Sequence, residues 1–185
     1  MSANSVEVVV LCEDRQQEVF IRRFLQRRGR ERHVFRSLIS PAGRGSGEQW
    51  VRERFPRELQ AHRSQRGRRD AWLFVAIDAD AQSVADRVNA FSQACRDAQI
   101  PFRTQDEPVV FVIPKRNIET WLAYLRGTSV NEVDAYPKYE NESDCKTQVD
   151  KLDVLCRRQK LEPDPPPSLD IACKEFRRIA FSSAP

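Results

Sequence analysis

Two aspartates stand one residue apart at the end of the stretch "WLFVAIDADA", which runs from Trp72 to Ala81. The apolar residues before them are typical of a buried strand, and side chains two apart on a strand point to the same side. Asp78 and Asp80 would therefore repel each other unless a cation or an arginine lies between them. A hard divalent cation suits such a pair of oxygen ligands, whereas the simpler alternative is that the two residues start a turn.

Other acids follow other apolar runs. Glu13 and Asp14 follow "VEVVVL" after one cysteine, and Glu119 follows "PVVFVIP" within "IPKRNIETWLAYLRG". Each acid alone could cap a helix or favour a helix N-terminus. Their shared position at strand ends is less easily explained by capping alone.

Phosphoryl-transfer chemistry with two metals needs several oxygen ligands around Mg2+ or Mn2+. Glu13, Asp78, Asp80 and Glu119 would supply such a cluster. Lys115, close to Glu119, could neutralise charge that develops on a scissile phosphate. These five residues are the candidate catalytic residues, and the four acids are the candidate metal ligands.

The order of elements predicts how these acids are brought together. Four strand candidates alternate with three amphipathic helices, and Pro56 is expected to interrupt or kink the second helix. The strand candidates are Val6–Leu11, "HVFRSLIS", Ala71–Ile77 and "PVVFVIP". This alternation predicts an α/β fold with a parallel four-stranded sheet, right-handed crossovers and helices on both faces. In such folds functional groups gather beyond the carboxyl ends of the strands.

The chain after Gly127 has a different pattern. A loop is followed by a helix with Ser143 as its cap, a proline-rich linker and a last helix, "LDIACKEFRRIAF". We expect residues 1–127 to form the sheet domain and residues 128–185 to form a small helical appendage packed on it.

Arginines are concentrated in the first part of the chain. Residues 1–69 carry a net charge of +8 and the remainder −4, within a total of +4. Arginine binds phosphate oxygens through two donors, so this bias favours nucleic acid as a partner, although an arginine run can also be a solvated helix face. The candidate contacts are Arg22, Arg23, Arg27, Arg28, Arg44, Arg66, Arg68 and Arg69. The segment "GRGSG" reads as a flexible loop or as a phosphate contact through backbone amides.

Composition sets the broad class. A chain of 185 residues with 40% hydrophobic and 31% charged residues is typical of one globular domain, and no apolar run is long enough to span a membrane. The first residues lack the pattern of a signal peptide, so a cytoplasmic location is expected. Five widely spaced cysteines argue against a disulfide framework or a zinc site and favour buried thiols. The oligomeric state is left open, and a homo-oligomer is compatible with the sequence.

Three segments resemble the TOPRIM domain, which occurs in topoisomerases, primases, small relatives of the OLD-family nucleases and stand-alone defence nucleases. They are "VVVLCEDRQQE" with Glu13 and a second acid at Glu18, the D-x-D motif in "VAIDAD", and "VIPKRNIETWL" with Glu119. The resemblance spans roughly residues 6–125, and Asp14 occupies a position where the family generally has glycine.

The resemblance implies a TOPRIM-like nuclease that uses Mg2+ or Mn2+. Glu13 would be a metal ligand or general base, Asp78 and Asp80 the main ligands, and Glu119 a ligand for a second ion. Small TOPRIM proteins often work beside an ABC- or AAA-type ATPase in antiphage systems, which implies such a partner here.

Two other functions fit the same residues. A receiver-like phospho-acceptor also places an acidic pair after its first strand and an aspartate after its third, although it needs one aspartate there and not two. A non-catalytic module that binds nucleic acid or a protein partner would tolerate replacement of Asp78 and Asp80.

Overall fold

A parallel four-stranded sheet forms the centre of the molecule. The computed structural model describes residues 6–28, 34–43, 45–66 and 70–179. The strands are β1 (Glu7–Cys12), β2 (Val34–Ile39), β3 (Ala71–Ala76) and β4 (Val109–Val112), and they lie in the order β2-β1-β3-β4. All three strand pairs are parallel. The predicted α/β, Rossmann-like sheet is therefore confirmed.

In the part of the chain that the structure describes, six α-helices connect or follow these strands. They are α1 (Arg15–Arg27), α2 (Gly47–Gln65), α3 (Val84–Asp97), α4 (Ile118–Leu125), α5 (Lys146–Arg157) and α6 (Pro167–Glu175), with short 3-10 helices at Glu142–Cys145 and Phe176–Arg178. None of the helices in the described part of the chain is long and apolar enough to cross a membrane.

The sheet separates two hydrophobic cores. Alternate residues of β1 face opposite sides, so Val8 and Val10 enter one core while Val9 and Leu11 enter the other. The first core also contains residues of α1, α4, α5 and α6, and the second contains residues of α2 and α3. Burial on both faces explains why the central strands are continuous apolar runs.

The direction of strand addition reverses between β1 and β3. The chain goes from β1 outward to β2 and then returns across β1 to β3 and β4. The connecting helices change face at the same point, because α1 packs in the first core and α2 and α3 in the second. Ligands of open α/β sheets bind at such a switch point, beyond the carboxyl ends of the two strands.

Two local expectations are not met. α2 continues through Pro56 without interruption, so the expected break is wrong, whereas a kink there stays a prediction. Burial of Val51, Phe55 and Leu59 offsets the hydrogen bond that proline cannot donate. Ser143 does not cap α5, because it lies inside the 3-10 helix that precedes Lys146.

The C-terminal helices share the first core with the sheet, since Val149 of α5 and Leu169 of α6 are fully buried in it. The boundary at residue 127 stays a prediction.

Cys156 and Cys173 form a disulfide between α5 and α6, so the expectation of buried thiols is wrong for this pair. Packing of the two helices brings these cysteines together, which their spacing of 17 residues does not reveal. Cys12, Cys95 and Cys145 are buried free thiols, as expected.

Candidate metal centre at the carboxyl edge of the sheet

Glu13 and Asp78 lie at the switch point. Cys12 of β1 and Ala76 of β3 are register partners, so the loops that carry the two acids leave the sheet side by side. The amide of Gln17 joins these loops: its Nε2 donates to Asp78 Oδ1 at 3.0 Å, and its Oε1 accepts from the backbone N–H of Glu13 at 3.1 Å. Gln17 is fully buried. Gln17 was not among the candidate residues, because nothing in the local pattern separates it from a polar helix residue that faces solvent.

Asp14 explains why Gln17 points into the site. Its side chain caps α1 by accepting a hydrogen bond from Gln17 N at 2.9 Å. This cap starts α1 directly after β1 and sets the direction of its first turn. Asp14, which stands where the TOPRIM resemblance leads us to expect glycine, is therefore a helix cap.

Burial and like charges raise the pKa values of both carboxyls. The pKa of Glu13 rises from 4.5 to about 7, first through burial and then through the charges of Asp80 and Asp14. Burial also raises the pKa of Asp78 well above its usual value, with Glu13 and Asp14 adding to the effect. Glu13 Oε1 is buried and finds no hydrogen-bond partner among the residues that the structure describes. Two ionised carboxylates here would be stabilised by a cation.

Asp80 occupies a different environment from Asp78. β3 ends at Ala76, and Asp80 has a positive φ of 52°, so the strand alternation from which the two aspartates were expected to share one side does not extend to them. That they share a side stays a prediction. The Asp80 side chain is 61% exposed, and its Oδ2 lies 3.3 Å from an amino group of Arg87. An arginine is therefore the observed neighbour of Asp80.

Backbone bonds tie the loop of Asp80 to the loop after β4. Asp80 and Arg116 exchange two N–H to carbonyl hydrogen bonds of 3.2 Å each, and Ala79 N donates to Pro114 O at 2.8 Å. Lys115 Nζ donates to the carbonyl oxygens of Ala81 and Gln82 at 3.1 and 2.7 Å. In this arrangement Lys115 fixes the position of the loop after β3.

Glu119 lies in the first turn of α4 and is 4% exposed. Burial raises its pKa, Lys138 opposes that rise, and the charge of Glu119 contributes to the raised pKa of Asp78. The residue is thus within electrostatic reach of the centre.

The N-terminus of α2 closes the other side of the centre. Ser46 caps this helix by accepting from Gln49 N at 3.1 Å. A Cβ added to Gly47 would lie 3.1 Å from Glu13 Cβ, so glycine allows this close approach. The end of the "GRGSG" segment therefore packs directly against Glu13.

The donor chemistry of the centre fits a hard divalent cation, since Glu13, Asp78 and Asp80 offer only oxygen. Within the described ranges, however, no group of three or more acidic, histidine or cysteine side chains is already arranged to hold an ion. Of the candidate ligands, Glu13 and Asp78 are the two that Gln17 joins. Asp80 would have to turn away from Arg87 to join them.

The arginines of α1 contact acids of this chain. Arg22 pairs with the buried Glu18, the second acid of the first motif. Arg23 makes two bonds to Asp150 of α5, of 2.7 and 2.5 Å. Three other candidate arginines also contact acids: Arg27 contacts Asp150, Arg28 contacts Asp153, and Arg66, at the end of α2, contacts Asp106. Arg44, Arg68 and Arg69 lie outside the described residues, so nucleic-acid contact by the arginines stays a prediction.

Comparison with known proteins found no matching family model, no matching curated protein and no matching solved structure.

Proposed function

We propose that this protein is a divalent-metal-dependent nuclease of TOPRIM-like type that cleaves phosphodiesters of DNA or RNA. The observation that carries the proposal is the pair of partly buried carboxyls at the switch point, Glu13 and Asp78, of which Glu13 leaves one buried oxygen without a partner among the described residues. Desolvated carboxyls whose pKa values are raised by like charges nearby are stabilised by a ligand or by a proton. The acids at two adjacent strand ends give the proposal its chemical class.

Glu13, Asp78 and Gln17 each have a definable role in this function. Mg2+ or Mn2+, when bound, would act as a Lewis acid and lower the pKa of a coordinated water. Glu13 and Asp78 would hold the ion, and Gln17 would keep Asp78 directed at it through the 3.0 Å bond. With a pKa of about 7 in the cation-free chain, the Glu13 carboxyl is suited to accept a proton near neutral pH, so its alternative role, where it does not hold the ion, is that of general base.

The wider setting belongs to the same proposal. We place the protein in the cytoplasm, as the effector of an antiphage system that works with an ABC- or AAA-type ATPase. This part rests on the TOPRIM resemblance of the three acidic segments. Substrate binding is assigned to arginines of residues 1–69, of which Arg27 and Arg66 remain partly exposed despite their ion pairs.

A cleavage assay tests the proposal. Supercoiled plasmid and total RNA are incubated with the wild type, Glu13→Gln and the control Glu53→Gln, in Mg2+, in Mn2+ and in chelator. Glu53 is exposed on α2 and bonds only Gln49 among the described residues, so the control makes the same chemical change away from the centre. We expect metal-dependent cleavage that falls by about 100-fold or more in Glu13→Gln, with the control within about twofold of wild type. Equal cleavage by wild type and Glu13→Gln would contradict the proposal.

A further inference from the structure

Arg87 lies between two acids at the edge of the candidate metal centre. Arg87 is on α3, and a capping box between Ser83 and Asp86 fixes the start of this helix. The Arg87 side chain is only 10% exposed, with one amino group 3.3 Å from Asp80 Oδ2 and the other 3.3 Å from Glu48 Oε1. Its Nε is buried and has no acceptor within the described part of the chain.

These contacts hold Arg87 loosely. Charged N–H to carboxylate bonds are usually about 2.7–2.9 Å long, and both Arg87 contacts exceed that range. Glu48 also has a second and closer partner, Arg52, at 2.9 Å. The contact with Asp80 is long and its carboxylate is 61% exposed, so breaking it costs less than breaking a short, buried ion pair.

Arg87 acts on the same centre as the proposed cation. Glu48 follows Gly47, whose backbone packs against Glu13. The positive charge of Arg87 lowers the pKa of Glu13, whereas the charge of Asp80 raises it. The guanidinium therefore already supplies part of the positive charge that the carboxyls lack.

We propose that Arg87 is the internal counter-ion of the centre and that a divalent cation held by Glu13 and Asp78 gains Asp80 as a further ligand only by displacing Arg87 from it. The inference rests on the proposed function, because it concerns the same carboxyls. It assigns Arg87 a positioning role: it holds Asp80 in the cation-free chain and thereby weakens the affinity for the metal. Coordination of the cation by Asp80 and separation of Arg87 from Asp80 then occur together.

Calorimetric titration with Mn2+ tests this role on the full chain. The variants are Arg87→Gln and Arg87→Met, the second of which keeps the buried aliphatic stem. The control Arg52→Gln also removes a positive charge that contacts Glu48, but Arg52 does not contact Asp80. We expect both Arg87 variants to bind Mn2+ about three- to tenfold more tightly than wild type, as for loss of a partly exposed charge pair, and Arg52→Gln to change affinity less than about twofold. Circular dichroism shows which variants are folded.

Repeating Arg87→Met in an Asp80→Asn background separates direct competition from a general effect of charge. The gain in affinity should disappear there, because Arg87 no longer has the carboxylate for which the cation competes. An unchanged or weaker affinity in folded Arg87 variants, with a wild type that binds Mn2+, would overturn this inference alone. Absence of Mn2+ binding in wild type and variants would overturn the proposed function as well.

Discussion

Gln17 connects the two acidic loops through both ends of its amide. Replacement by leucine would leave the Glu13 N–H and an Asp78 oxygen without partners in a buried site. We expect Gln17→Leu to lower the free energy of unfolding by about 1–3 kcal/mol, measured by urea denaturation. Gln93→Leu is the control, since Gln93 is exposed and bonds only to residues of its own helix. A similar small decrease in the free energy of unfolding of Gln17→Leu and Gln93→Leu would show that the amide bridge does not stabilise the fold.

The raised pKa of Glu13 predicts a pH dependence of stability. Between its ordinary pKa of 4.5 and its folded pKa of about 7, the folded chain binds more protons at this site than the unfolded chain. Stability from this group is therefore present below pH 4.5 and is lost as the pH rises to 7. His62 acts in the opposite direction, because burial lowers its pKa from 6.5 to about 4.

The Glu13→Gln variant isolates the contribution of Glu13 from that of His62. Urea denaturation from pH 4.5 to 8 should show that wild type becomes less stable relative to Glu13→Gln as the pH rises to 7. A constant difference between the two proteins over this range would contradict the assignment.

At the residue scale, the sequence reveals acids at strand ends more readily than the polar residues that hold them. Glu13 and Asp78 directly follow apolar runs, so their placement near one another could be predicted. Gln17 and Arg87 stand on helices where a polar residue ordinarily faces solvent. Only their burial in the fold shows what they contact.

At the element scale, the N-terminus of α2 depends on a glycine. An exposed Gly→Ala change in a helix stabilises it by about 1 kcal/mol. At Gly47 the new Cβ would lie 3.1 Å from Glu13 Cβ and 3.3 Å from its Cγ, so either α2 or Glu13 must move. We expect Gly47→Ala to destabilise the protein in urea denaturation. An increase of about 1 kcal/mol in the stability of Gly47→Ala would mean that the contact with Glu13 is easily relieved.

The strands and the first three helices were predictable because their apolar patterns have few alternatives. β1 and β3 are buried on both faces, which requires nearly continuous apolar runs. The loop after β3 was not predictable in the same way. The positive φ of Asp80 and its bonds to Arg116 depend on the neighbouring loop, which lies more than 30 residues later in the chain.

At the scale of the whole molecule, ion pairs join arginines of α1 and its C-cap Arg28 to two aspartates of α5. Arg28 and Asp153 form a pair of 2.7 Å in which both side chains are nearly buried. Arg157 also contacts Asp153 and reduces the effect of losing Arg28. We expect Arg28→Gln to cost about 1–3 kcal/mol in urea denaturation, less than the full loss of a buried pair. The control Arg96→Gln, on exposed α3 surface, should cost under about 0.5 kcal/mol. Equal costs would show that the α1–α5 pair adds no stability.

The charge pattern of the sequence has a second explanation in these pairs. The excess of arginine in the first part of the chain and the excess of acid in the rest are partly matched across α1 and α5. Separations of more than 120 residues hide such pairs from a reading of local pattern.

The most direct test of the whole account is Mg2+ and Mn2+ binding by calorimetry to wild type, Asp78→Asn and the control Asp97→Asn. Asp97 is exposed at the end of α3 and bonds Gln93, so the control repeats the chemical change away from the switch point. We expect wild type and Asp97→Asn to bind a divalent cation and Asp78→Asn to lose this binding. Equal binding by all three proteins, or none by wild type, would contradict the assignment of a metal centre to the carboxyl edge of this sheet.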